Sequence, residues 1–108
     1  INAENIKYNF APSPGQVSFI NFPLGRRVRI ESAVYNDYNI PPYYDSMLAK
    51  VIVHGRDRDE AIAKMKRALY EFIIEGVDTN IEYQNKILNN KQFEKCQYNT
   101  SFLENVKL

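Results

Sequence analysis

Arg29 and Glu31 stand two positions apart in the segment RVRIES, residues 27–32. If that segment is a strand, both side chains project from the same face, because successive side chains alternate across the pleat. A guanidinium held on a strand is a rigid cation that does not titrate and presents several fixed donors. Such a group stabilises negative charge that develops on a reacting oxygen. The ordinary alternative is an arginine that is solvated or paired across a sheet. Both readings fit the residues.

Other candidates offer less. His54 is the only histidine, and no carboxylate or cysteine stands at metal-ligand spacing from it, so a strand-end position suits it better than a metal site. Cys96 is the only cysteine and has no base near it in sequence. A half-buried spectator is the better reading of it than a nucleophile. The glycines Gly15, Gly25, Gly55 and Gly76 are too dispersed to form a phosphate-cradling loop. Arg56, Asp57, Arg58 and Asp59 alternate in charge, which reads either as a solvated helix start or as a polar subunit contact.

The elements that must carry these groups follow from periodicity. Residues 27–35 alternate strictly, with Val28, Ile30, Ser32 and Val34 on one face and Arg27, Arg29, Glu31 and Ala33 on the other. Residues 16–22 and 47–54 are further strands, and APSPG (11–15) and PLGR (23–26) are turns. Residues 1–15 read as irregular, although INAEN has the look of a strand end; 36–45 read as a loop. After Gly55 the period changes to that of a helix. Asp57 and Glu60 form a capping box, and Ala61, Ile62, Met65, Ala68, Leu69, Phe72 and Ile73 line one apolar stripe that Gly76 stops. Thr79 and Glu82 predict a second cap for a shorter helix that ends at Asn89–Asn90. Residues 91–96 suggest another helical turn, and Phe102 and Leu103 either pack or fray. Strands followed by helices make an α+β chain with a small antiparallel sheet.

The stretch IPPYYDSMLAKVIVHG (40–55) crowds two prolines and two tyrosines in front of a strand. Pro41 and Pro42 restrict their own torsions and those of the residues before them. They predict a defined loop that holds Tyr43, Tyr44 and Asp45 beside the strand of Arg29, with Asp45 or Ser46 binding backbone amides. The stretch reads as scaffolding rather than as catalytic machinery.

Composition sets the outer limits. The chain has 108 residues, 44% of them hydrophobic, which suits one domain over residues 1–108. Its net charge of +1, from 14 basic and 13 acidic residues, carries no nucleic-acid or anionic-membrane signal. No apolar run approaches the roughly 18 residues needed to span a bilayer, and no signal-peptide pattern opens the chain. A single cysteine suits a reducing, cytoplasmic compartment. An opening Ile1 rather than Met suggests a piece of a longer chain.

Taken in order, INAEN, PSPG, RVRIES, PPYYDSMLAKVIVHG, RDEAIAKMKRAL and IEGVDTNIEYQNKIL closely resemble the C-terminal part of biotin carboxylase, over nearly the whole chain. The resemblance implies a barrel-sandwich-like subdomain of an ATP-grasp ligase followed by two or three helices. That enzyme uses ATP, Mg2+ and bicarbonate to carboxylate a ureido nitrogen of biotin on a carrier protein, the first step of acetyl-CoA carboxylation and fatty-acid synthesis. It further implies that the nucleotide, metal and general-base residues lie in an upstream ATP-grasp region, so that this chain is inactive alone and binds none of these ligands itself. The implied partners are that region, the biotin carboxyl carrier protein, carboxyltransferase subunits and a second copy of the chain. Arg29 matches the family arginine beside the biotin ureido oxygen, with Ile30 where tryptophan is commoner; Glu31 as an orienting partner is our own addition. The surface around His54–Arg58 is the candidate dimer contact. The same region of pyruvate or propionyl-CoA carboxylase, and a non-catalytic binding or dimerisation module, remain alternatives.

Overall fold

A computed structural model describes residues 1–43 and 45–108; the expectation for Tyr44 lies outside the described residues. The strands are β1 (Glu4–Asn5), β2 (Ala11–Pro12), β3 (Gly15–Gln16), β4 (Phe19–Asn21), β5 (Val28–Ser32), β6 (Asn39–Ile40), β7 (Ala49–Val53) and β8 (Ile73–Glu75). The helices are α1 (Arg58–Glu71), α2 (Ile81–Leu88), α3 (Lys91–Glu94) and α4 (Phe102–Asn105), with a 3-10 turn at Ile6–Tyr8. The described strands join as four antiparallel ribbons: β1 with β2, β3 with β6, β4 with β8, and β5 with β7. The architecture is α+β, as the order of periodicities predicts.

The alternating segment forms β5, with Val28 and Ile30 half-buried and Arg29 and Glu31 exposed. Residues 16–22 divide into β3 and β4 around Val17, which is fully buried. The division follows a change of partner: Val17 N donates to Tyr38 O at 2.9 Å, and Ser18 N to Glu75 O at 2.9 Å. One backbone thus passes from the β6 side to the β8 side within two residues, which hydropathy does not record.

Helix α1 starts where the capping box predicts. Asp57 Oδ1 accepts from Glu60 N at 2.8 Å, but Glu60 Oε1 accepts from Arg56 N at 3.3 Å, one residue ahead of the cap. The expected stop at Gly76 is too late. The helix ends at Glu71, Phe72 is extended, and Ile73–Glu75 pair with β4. The β-branched pair Ile73–Ile74 satisfies the open edge of β4 instead of a further helical turn. Ile73 therefore leaves the apolar stripe and is exposed. Gly76, at φ 103°, lets the chain pass against β3, where a Cβ would collide with the Gln16 carbonyl oxygen.

The cap expected from Thr79 is absent too. The N-cap of α2 is Asn80, and its side chain is used elsewhere: Oδ1 accepts from Asn2 N at 2.8 Å, while Asn80 N donates to Asn2 O at 3.1 Å. The helical turn expected at 91–96 is α3, capped by Asn90, whose Oδ1 accepts from Gln92 N and Phe93 N. Residues 102–105 are helical rather than frayed.

The first residues are tied into the sheet. Leu48 N donates to Ile1 O at 2.8 Å, Ala3 N donates to Ser46 O at 2.8 Å, and Asn2 bridges Met47. Their continuation is not irregular as expected, since β1 and β2 pair, and the 36–45 loop contains β6. Ala3, Val17, Val34, Ile40 and Leu48 form one core cluster, with Ile20, Tyr38, Ile74 and Val77 packed around it. Ala68, Leu69 and Phe72 bury the stripe of α1, and Phe22 meets Phe72 edge-on with centroids 5.7 Å apart.

Candidate functional site

Five consecutive residue pairs join β5 to β7, and Arg29 lies opposite Ile52 while Glu31 lies opposite Lys50. The pleat sends these four side chains to one face and Val28, Ile30, Val51 and Val53 to the other. The first face is open: the Arg29 side chain is 68% exposed and that of Glu31 is 51% exposed. Arg29 Nη2 lies 3.3 Å from Glu31 Oε1. An ion pair this exposed adds at most about 1 kcal/mol to stability. Its larger effect is to restrict a long side chain, while the other guanidinium donors remain available.

The strand under Arg29 is fixed at both ends. His54 N donates to Arg27 O at 3.0 Å. At the far end Ser32 Oγ donates to Leu48 O at 2.7 Å and accepts from Val34 N at 3.1 Å. The proline-rich loop buttresses the same ribbon. Asp45 Oδ1 accepts from Met47 N at 3.2 Å, as an amide-binding aspartate should. Ser46 does not bind an amide through its hydroxyl, which donates to Glu4 Oε1 at 3.0 Å because β1 brings that carboxylate alongside. Tyr43 is exposed and packs nothing down. Glu31, Lys50, Pro41, Asp45, Met47 and Tyr38 border one groove of about 560 Å³. Loop and strand therefore share a wall, and Lys50 joins Arg29 on the open face. Cross-strand register brought Lys50 there, which sequence reasoning did not supply.

The remaining candidates are scattered. His54 ends the β7 segment, with Nδ1 3.5 Å from Arg27 Nη1. Cys96 is exposed, in a left-handed turn at φ 58° after α3. The charge run is not uniformly solvated. Arg56 Nε pairs with Glu60 Oε2 at 2.9 Å. Arg58 turns back on its own chain, donating to Phe93 O and lying over the Phe93 and Tyr98 rings at 4.8 and 5.6 Å. The signal for this was the aromatic spacing Phe93, Tyr98 and Phe102. The carboxyl of Glu60 is held below the usual glutamate range, first by the Lys64 hydrogen bond and then by the Arg56 amide.

Among the described residues no group of three His, Cys, Asp or Glu side chains could hold a metal ion. Arg29 presents guanidinium donors on the open face of the ribbon.

The profile of the biotin carboxylase C-terminal domain matches residues 1–105. The chain is 56% identical over 104 residues to biotin carboxylase 1 of Bacillus subtilis, covering 96% of this chain and 23% of that protein. It is 48% identical over 107 residues to a pyruvate carboxylase subunit of Methanothermobacter thermautotrophicus, covering 99% of this chain and 22% of that protein. Among solved structures, a Campylobacter jejuni biotin carboxylase complex superposes with a TM-score of 0.91 at 44% identity, over 95% of this chain and 23% of the other. Rhizobium etli pyruvate carboxylase superposes at 0.94 with 32% identity, over 96% of this chain and 10% of the other. The chain thus spans less than a quarter of the curated relatives' length, and by the match over residues 1–105 it belongs to the biotin carboxylase C-terminal domain family.

Proposed function

We propose that residues 1–108 act as the C-terminal subdomain of an ATP-dependent biotin carboxylase and that Arg29 is its catalytic contribution. The observation that carries this reading is the placement of Arg29: rigid on β5, restrained by Glu31, and open on the side away from the core. Biotin supplies a ureido nitrogen as the group to be carboxylated. A ureido N–H is a weak acid, so negative charge gathers on the ureido oxygen as the proton leaves. Arg29 would meet that oxygen with a donor whose direction is set before the reaction, worth about 3 kcal/mol of barrier by analogy with one oxyanion-hole donor. Nucleotide, Mg2+ and bicarbonate chemistry would belong to an ATP-grasp region that faces the β5–β7 ribbon.

The partners follow from that assignment: the ATP-grasp region, a biotin carboxyl carrier protein, carboxyltransferase subunits and a second copy of the enzyme, all in the cytoplasm. Acetyl-CoA carboxylation, the entry to fatty-acid synthesis, is the favoured downstream use. Identity is higher with the Bacillus subtilis biotin carboxylase than with the Methanothermobacter pyruvate carboxylase chain, 56% against 48%. The latter match favours pyruvate carboxylation as the second reading. The His54–Arg58 surface is the candidate dimer contact. Arg58 is engaged within the chain, so Arg56 is the better residue with which to probe it.

Complementation tests the proposal. The chain mixed with an ATP-grasp region should restore biotin-dependent ATP hydrolysis, and Arg29→Ala should remove it while leaving the fold intact. Full turnover with Arg29→Ala would overturn the catalytic assignment. Turnover without the chain would overturn the assignment as part of the enzyme.

A further inference from the structure

A second polar groove, whose lining does not include Arg29, lies between the turn that follows β4 and helix α1. Its volume is about 510 Å³, within the range of small-molecule sites. Leu24, Gly25, Arg26 and Arg27 line it from the turn, and Glu60, Lys64, Arg67 and Glu71 from the helix. Four cations therefore face two carboxylates in a chain whose net charge is only +1.

Neither carboxylate forms a direct ion pair with the groove's arginines, although Lys64, helped by nearby Arg27, holds the Glu60 carboxyl below its ordinary range. Within the groove Glu60 Oε1 pairs with Lys64 Nζ at 3.1 Å, and its Oε2 turns outward to Arg56 Nε at 2.9 Å, which leaves three arginines facing Glu71. Among the described residues no carboxylate lies within ion-pair distance of Arg26, Arg27 or Arg67. Glu71 lines the groove without reaching Arg67. The turn is also drawn tightly onto the helix. Gly25 sits at φ 157°, and a Cβ there would lie 3.2 Å from Arg67 Nη2. Arg27 takes the left-handed region at φ 61°. That region of backbone conformation is disfavoured for a residue that carries a side chain. Three exposed arginines thus border one groove, with Arg27 Nη1 also 3.5 Å from His54 Nδ1 and its backbone in a region that side chains disfavour.

We propose that this groove binds a diphosphate group. Planar guanidinium forks match phosphate oxygens two at a time, and several of them around one cleft suit a polyanion better than a single carboxylate. The groove's volume favours a small molecule over a protein surface. Exposed Leu24 on the rim offers apolar contact to whatever the diphosphate carries. This site is independent of Arg29, so the two assignments stand or fall separately.

The test is titration of the 108-residue chain with sodium pyrophosphate, and separately with ADP, at constant ionic strength and without added metal. Backbone amide NMR resonances are the readout. Saturable shifts are expected at residues 24–28 and 64–67. Arg67→Gln and Arg26→Gln should each weaken binding about tenfold, the loss of one charge-assisted contact, with amide dispersion reporting that each variant is folded. Equal affinity for the two ligands would assign recognition to the diphosphate alone; tighter ADP binding would add a nucleoside contact beside Leu24. Either result supports the proposal. No saturable shift at millimolar pyrophosphate would overturn it. So would shifts spread equally over distant lysines such as Lys91 and Lys107, or undiminished affinity in both variants.

Discussion

Glu31 Oε1 holds Arg29 Nη2 at 3.3 Å along one strand, so the cation's nearest restraint comes from two residues away on the same backbone. The restraint needs no other element to be in place. It separates two quantities that are often confounded, the strength of the charge and the precision of its aim. If Arg29 serves catalysis, Glu31→Gln in the assembled enzyme should lower kcat several-fold and leave the melting temperature nearly unchanged. Arg29→Ala should lower kcat by about 10²–10³, the loss of one oxyanion donor. Steady-state assay of biotin-dependent ATP hydrolysis, with thermal unfolding alongside, distinguishes the two effects. Equal loss in both variants would argue that Glu31 does more than orient.

Asn80 is a buried polar residue that closes the chain on itself through both groups of Asn2. Asn80→Ala leaves the Asn2 N–H without its partner in a partly buried position. The expected cost is about 1–3 kcal/mol, the penalty for an unsatisfied donor. A urea midpoint lowered with an unchanged slope would verify it.

Gly76 should not tolerate a methyl group. Gly76→Ala meets the Gln16 carbonyl oxygen and adds a side chain at φ 103°, so destabilisation of about 3 kcal/mol or more is expected. Chemical denaturation gives the value. A loss below about 1 kcal/mol would mean that the β3–β4 junction shifts aside and relieves most of the strain, since a strain-free Gly→Ala change would stabilise by about 0.4–1 kcal/mol.

The N-terminus of α1 and the tail should loosen together in acid. Glu60 is held below the ordinary glutamate value of 4.5 chiefly by its Lys64 hydrogen bond, and Glu94 likewise by Lys66. A carboxylate whose folded pKa is depressed adds stability above its unfolded pKa, and that stability disappears as pH falls through the folded value. Melting temperature should therefore drop as pH falls below 4.5. Glu60→Gln should flatten the drop, and an unaltered acid limb would contradict the assignment.

Arg58 fastens the C-terminal segment. Its guanidinium rests on two rings that stack with centroids 5.1 Å apart, and Phe102 closes the cluster 5.8 Å from Tyr98. Arg58→Ala should cost about 0.5–1 kcal/mol, in the range of a cation–π contact at an exposed site. Amide exchange over 91–105 should accelerate, while β5 and β7 keep their protection.

These expectations mark where the sequence was readable. Strict alternation identified β5, and a 3.6-residue stripe with Asp57 and Glu60 identified α1, because in both cases one local pattern determines the burial of the whole element. The pattern failed where partners are remote. Ile73 and Ile74 fit the helical stripe, yet β4 recruits them into β8. Thr79 has the spacing of a cap, yet Asn80 takes the position because Asn2 needs an acceptor. At the candidate site, Arg29 and Glu31 were legible as neighbours at a spacing of two. Lys50 and the Arg26–Arg27–Arg67 groove were not, since strand register and the docking of a turn on a helix bring them together.

Ile30 shows what the pleat does for the chain as a whole. It lies between Arg29 and Glu31 in sequence but opposite Val51 on the inward side of the ribbon. A larger side chain there, such as tryptophan, would be felt by the inward side and not by the water-facing charges. The ribbon works as a partition: packing can drift on one side while the electrostatic lettering on the other is left unedited.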